Sequence, residues 1–152
     1  MDTFELLWTA SAEWKTRLLV IIVLAQMLLA LRLYGVMSKA RMAAAKAGKV
    51  TADTYRATQN EPEELAVYNR AVTNQFEAPT MFYALVLIAL ALGTSSWLTV
   101  IIALAFVVLR WMHGLEMVGA HNVMRRRKLF IQSMQAMILL MAEVLVSAMI
   151  WA

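Results

Sequence analysis

The chain has no cysteine, two prolines and five glycines in 152 residues, and only 16% of its side chains are charged. The missing cysteine excludes disulfides, thiolate metal sites and a cysteine nucleophile together. Few prolines and glycines mean few helix breaks. The scarcity of charge is more telling, because soluble domains carry about a quarter charged residues. No phosphate-cradling glycine loop, dinucleotide fingerprint or hydrolytic triad is present. His113 and His121 are too sparse for a metal site.

What is present is apolar. Hydrophobic residues make up 62% of the chain, and the mean hydropathy is +0.65. Alanine, leucine and methionine fill the apolar stretches without the alternation of barrel strands, so the expected class is all-α. One stretch covers 18–36, interrupted by Gln26 and Arg32, and a second runs from about 65 to 92. A third covers 97 to about 118, and a fourth 129–152. Each is close to the roughly 20 residues that cross a hydrocarbon core about 30 Å thick. The expectation is one membrane domain over 1–152, a four-helix transmembrane bundle with spans at about 14–37, 64–92, 96–119 and 128–151. The segment 1–13 is acidic, and Arg32-Leu33-Tyr34 is a poor cleavage site, so the first stretch reads as a span and not as a signal peptide.

The net charge of +4 points to lipid headgroups and not to nucleic acid, because the basic residues flank apolar spans. Lys39, Arg41, Lys46, Lys49 and Arg56 fall in the first connection, against a lone Asp53 up to residue 60. Arg125, Arg126, Arg127 and Lys128 fall in the third, while the second, 93–96, has no charge. The positive-inside rule puts the two basic connections in the cytoplasm and both termini on the far side, despite a weak opposing vote from Lys15 and Arg17. A short amphipathic helix is expected within the first connection, at 40–47. Trp8, Trp14, Trp97 and Trp151 read as interfacial anchors on the outer side.

Spans two and three form a hairpin about 93–96, so depth can be counted outward from that turn. Glu77 lies 16 residues before Gly93 and Arg110 lies 14 after Ser96, which places both roughly 21–24 Å away. Asn74 and His113 lie one step deeper, followed by Arg70 and Glu116. Arg32 on the first span and Gln132 and Gln135 on the fourth reach the same half. Arg70, Asn74 and Glu77 are spaced four and three apart and share a helix face. Arg110, His113 and Met117 share another, with Glu116 turned elsewhere. Intramembrane charges are costly and usually paired, so two such stripes predict a buried polar pocket and an ion pair between Glu77 and Arg110. Such pairs also simply glue helices together, and charges near span ends snorkel to headgroups. A surplus of positive charge at one depth favours an anionic ligand over glue. Pro79, just past the stripe, is expected to bend the second helix. Glu143 stands alone in the fourth span, awaiting a partner or a proton. Gly114 and Gly119 read as points of close helix approach.

The run Arg70-Ala71-Val72-Thr73-Asn74-Gln75-Phe76-Glu77-Ala78-Pro79, followed by Met81-Phe82-Tyr83, resembles the signature of the MAPEG family, the membrane-associated proteins of eicosanoid and glutathione metabolism. Arg110-Trp111-Met112-His113, then Asn122-Val123 and Arg126, resemble its bacterial branch. The resemblance implies a homotrimer of four-helix bundles in a bacterial inner membrane, with glutathione bound between subunits on the cytoplasmic side. It implies that Arg70, Asn74 and Glu77 hold glutathione, with Arg32, Arg110 and His113 as further binding candidates. Arg126 is the implied catalytic cation, placed to stabilise the glutathione thiolate. The second substrate would be a lipophilic electrophile or hydroperoxide arriving from the surrounding lipid. Catalytic members often add a tyrosine hydroxyl near the thiol, and the corresponding position here is Met117. Two functions therefore stand open, a glutathione-dependent transferase or peroxidase and a non-catalytic member that binds a lipid or a partner membrane protein. A small transporter is disfavoured by the absence of an inverted repeat.

Overall fold

The computed structural model describes residues 3–56, 61–119 and 122–151, with side chains from Thr9 to Ile150. Among them the chain is all helix: α1 (Thr3–Lys46), α2 (Ala52–Arg56), α3 (Glu63–Thr73), α4 (Ala78–Ala91), α5 (Trp97–Val118) and α6 (Val123–Trp151). His121 and the side chains of Trp8 and Trp151 lie outside the described residues. Three helices are long and apolar enough to cross a membrane, over Thr9–Lys46, Trp97–Val118 and Val123–Ile150. With 44 residues, α1 is about 66 Å long and outruns the hydrocarbon core. The separate short helix expected at 40–47 is simply its end. Helix-forming Ala43, Ala44, Ala45 and Lys46 carry it on until Gly48 turns with a φ of 70°. Arg41 donates to Glu61 at 2.8 Å and Lys49 pairs with Glu64 at 3.3 Å, tying this end to the approach to α3.

The second apolar stretch departs most from expectation. It is not one helix but two, α3 and α4, separated by an irregular segment at 74–77. Pro79 stands at the start of α4, where its missing N–H costs nothing. A continuous helix would press its ring against the carbonyl four residues back. The 14 residues of α4 reach only about 21 Å, short of a full crossing. Irregular backbone at membrane depth persists only where protein or a cavity satisfies it. Here Gln75, almost fully buried, donates to the Ala71 carbonyl at 3.0 Å and accepts from buried Gln26 of α1 at 3.1 Å.

The turn at 93–96 closes the α4–α5 hairpin. Gly93 has a φ of 67°, a left-handed conformation that costs glycine little. Ser96 then caps α5 through a reciprocal bond with Thr99. The main core joins Leu19 of α1, Phe82 and Val86 of α4, Ala103 and Phe106 of α5 and Leu140 of α6. Phe82 and Phe106 stack at 4.6 Å between centroids, worth about 1 kcal/mol beyond burial. A smaller cluster of Leu29, Leu33, Ala71, Val72 and Met117 joins α1, α3 and α5. Gly114 faces Leu29 and Leu33, whose atoms lie 3.4 Å from where a Cβ would stand, so α1 and α5 approach closely there. Gly119 instead ends α5, with its own Leu115 carbonyl 2.8 Å from the Cβ position. Large apolar side chains such as Ile21, Leu87, Ile101 and Leu145 point outward from α1, α4, α5 and α6, as a lipid-facing surface requires.

Candidate functional site

The break at 74–77 opens a cleft. Beyond it α4 packs on α6 and α1, whereas α3 leans on α1 and α5. The space between α3 and α6, floored by α5, measures about 650 Å³ and is lined by Arg70, Asn74, Glu77, His113, Met117 and Arg126, among others. Five of the expected site residues therefore meet around one space: Arg70, Asn74, Glu77, His113 and Arg126. Arg70 and Glu77 are exposed, and Arg126 is half-buried.

Two expected residues do not line it. Arg32 lies on the exposed side of α1, its guanidinium 5.9 Å from the centroid of the Trp111 ring, a cation–π contact. Trp111 in turn donates to the Ala25 carbonyl at 3.1 Å. Arg110 is fully buried behind the cleft. The predicted Glu77–Arg110 ion pair does not form. Instead Arg110 Nη2 donates to the Asn74 carbonyl at 2.6 Å. The helix break explains the exchange. Asn74 ends α3, and the carbonyls of a last helical turn lack intrahelical donors, so a cation completes that end. Arg110 Nε and Nη1 remain buried with no hydrogen-bond partner among the described residues. Gln132 and Gln135 are exposed on α6, turned away from the polar layer.

His113 is buried, and its Nδ1 lies 3.0 Å from the Arg126 carbonyl. A carbonyl only accepts, so Nδ1 carries the hydrogen. That bond joins α5 to the first turn of α6 and leaves Nε2 buried without a partner among the described residues. Asn74 donates from Nδ2 to the Met117 sulfur at 3.3 Å, so the thioether takes up one of the two donors of that amide. Thr80 Oγ1 donates to the Glu77 carbonyl and helps start α4. The Glu77 carboxylate makes no hydrogen bond or ion pair with any described residue.

The basic run Arg125–Lys128 was expected in a connection and lies instead within the first turns of α6. Asn122 explains the early start: its Oδ1 accepts from Arg125 N at 3.0 Å, while its own N–H donates to Glu116 at 3.2 Å. The helix then sorts the four cations. Arg126 and Arg127 line the cleft, Arg125 turns to Glu116 at 3.4 Å, and Lys128 faces outward. Asn69, Thr73, Arg127 and Phe130 also line the cleft and were not anticipated. A signal existed for three of them. Asn69 precedes Thr73 by four, Thr73 precedes Glu77 by four, and Phe130 follows Arg126 by four.

The fold is that of a helical membrane protein whose α3, α5 and α6 bring cations, a carboxylate and an amide to one cleft. The chain belongs to the MAPEG family, whose model matches residues 18–146. No individual curated protein and no solved structure matches it.

Proposed function

We propose that the chain is a four-span membrane enzyme of this family, assembled as a homotrimer, that uses glutathione on lipophilic electrophiles or hydroperoxides by conjugation or reduction. The observation that carries the reading is the convergence of Arg70, Arg126 and Arg127 with Glu77 on one cleft. Glutathione offers two carboxylates, one ammonium and a thiol. Arginine forks grip carboxylates bidentately, and a free glutamate receives an ammonium. The donor set fits, and about 650 Å³ lies within the range of small-molecule clefts.

In this reading glutathione supplies the sulfur nucleophile. Arg70 holds a carboxylate, Glu77 takes its ammonium, and Asn74 bonds its peptide backbone. Arg126 stabilises the thiolate, because an adjacent cation shifts a thiol with a pKa of about 8.5 towards its reactive form. Arg110 acts as a positioning residue through the Asn74 carbonyl. The membrane orientation that fits is the one with α1's basic end, the cleft and Arg125–Lys128 on the cytoplasmic side. A second reading keeps the fold and the binding but not the chemistry, since Met117 brings no hydroxyl to the cleft. Ultraviolet titration of the purified protein with glutathione separates the two. Saturable binding with thiolate absorbance, lost in Arg126→Ala while binding persists, is the expected result. Binding without any thiolate signal in the unaltered protein would leave only the second reading.

A further inference from the structure

A second opening lies on the other side of the basic run. It measures about 560 Å³ and is lined by Met124, Arg125, Arg127, Lys128 and Ile131, with Asn122 at its end. Met124, Arg127, Lys128 and Ile131 stand at i, i+3, i+4 and i+7, and so form one stripe on α6. The order along that stripe is apolar, cation, cation, apolar, and all four side chains are exposed. Arg125 is neutralised by Glu116, whereas Arg127 and Lys128 pair with no described carboxylate. The exposed strip continues down the helix through Ile138 and Leu145, each seven residues from the last.

Depth agrees with the chemistry. The 29 residues of α6 span about 43 Å, the thickness of a bilayer with its headgroups, about 40–45 Å. The first turns of α6 therefore stand at headgroup level, and Ile131 begins the hydrocarbon. From Ile131 to Leu145 is about 21 Å, enough to follow an acyl chain through one leaflet of about 15 Å.

We propose that this face of α6 is a binding site for an anionic phospholipid. Its phosphate lies between Arg127 and Lys128, and one acyl chain runs along Ile131 and Ile138. A bare topology signal needs positive charge alone. It does not need two unpaired cations framed on one helical face by Met124 and Ile131, with an apolar track below. Arg127 also lines the polar cleft, so the two openings share a wall. The inference stands whether or not glutathione is the ligand of the first.

Native mass spectrometry of the full chain, released from micelles doped equally with phosphatidylglycerol and phosphatidylcholine, tests it. The expected result is retained phosphatidylglycerol, with a preference that falls about twenty-five-fold in Arg127→Gln/Lys128→Gln, each surface cation contributing about fivefold. Charge-keeping Arg127→Lys/Lys128→Arg retains the preference, and Ile131→Ser/Ile138→Ser weakens retention of phosphatidylglycerol at unchanged helix content. Equal retention of both lipids by the unaltered protein overturns the proposal. So does a preference unchanged in the double glutamine variant. Displacement by inorganic phosphate as effective as by the whole lipid would show a site for a free anion and also overturn it. Because the chain has no native cysteine, Ile138→Cys adds a clean check. Efficient disulfide cross-linking between copies would show the strip covered by a second subunit and sink the lipid assignment.

Discussion

Glu77 and Glu143 are both carboxylates set within apolar segments, and the structure treats them oppositely. Glu143 Oε1 accepts from Ser96 at 2.6 Å, Thr99 at 2.8 Å and Ser147 at 3.1 Å. It ties α6 to the capped start of α5, where a negative charge also answers the helix dipole. Its Oε2 is buried without a partner among the described residues. Glu77, at the broken end of the second segment, has no hydrogen-bonding partner on its carboxylate among the described residues and lines an open cleft. One acid is consumed by the fold and the other is kept free. Lipid solvates apolar side chains as well as other helices do, so polar pins decide where membrane helices meet. A charge that pins nothing is therefore the better candidate for a ligand.

Three substitutions test that contrast. The largest effect is expected at Arg110. Arg110→Met removes the donor to the Asn74 carbonyl and frees the segment that presents Asn74 and Glu77. Saturable glutathione binding should disappear while helix content by circular dichroism is retained. Binding of normal strength in this variant would show that the guanidinium positions nothing. Next comes Glu77→Gln, which should weaken glutathione binding about ten- to a hundredfold, as for a lost hydrogen bond to a charged group. The thermal midpoint should stay in place, because the carboxylate supports no other described residue. A lowered midpoint with intact affinity would make Glu77 a structural acid like its counterpart. The smallest effect belongs to Glu143→Gln, which keeps an acceptor for the three hydroxyls but loses charge assistance. A loss of about 1 kcal/mol in denaturant unfolding is expected, with glutathione affinity unchanged, and a fall in affinity would erase the distinction.

Much of the site was legible because helical spacing is a local property. The four-and-three spacing of Arg70, Asn74 and Glu77 put them on one face, and counting from the 93–96 turn brought His113 to nearly the same depth as Asn74. Depth alone could not say which way a side chain points. Arg32 and Arg110 share the layer with the cleft residues, yet one lies against Trp111 on the outside and the other behind the wall. Pro79 announced a bend, but a bend and a complete break read alike in sequence. The difference came from Gln26 on α1 and Arg110 on α5, distant partners that satisfy the exposed backbone and the turned Gln75.

By itself the sequence determined the helical class, the apolar stretches and the cationic depth. These follow from composition, hydropathy and a period of 3.6, none of which needs a neighbour. Only the tertiary structure decided which of four consecutive cations enters the cleft, that the second segment breaks, and that Arg110 bonds a carbonyl and not Glu77. Each of these depends on which donor and acceptor from different helices end within 3 Å or so of one another. That proximity is a property of the packed bundle, not of any stretch of chain.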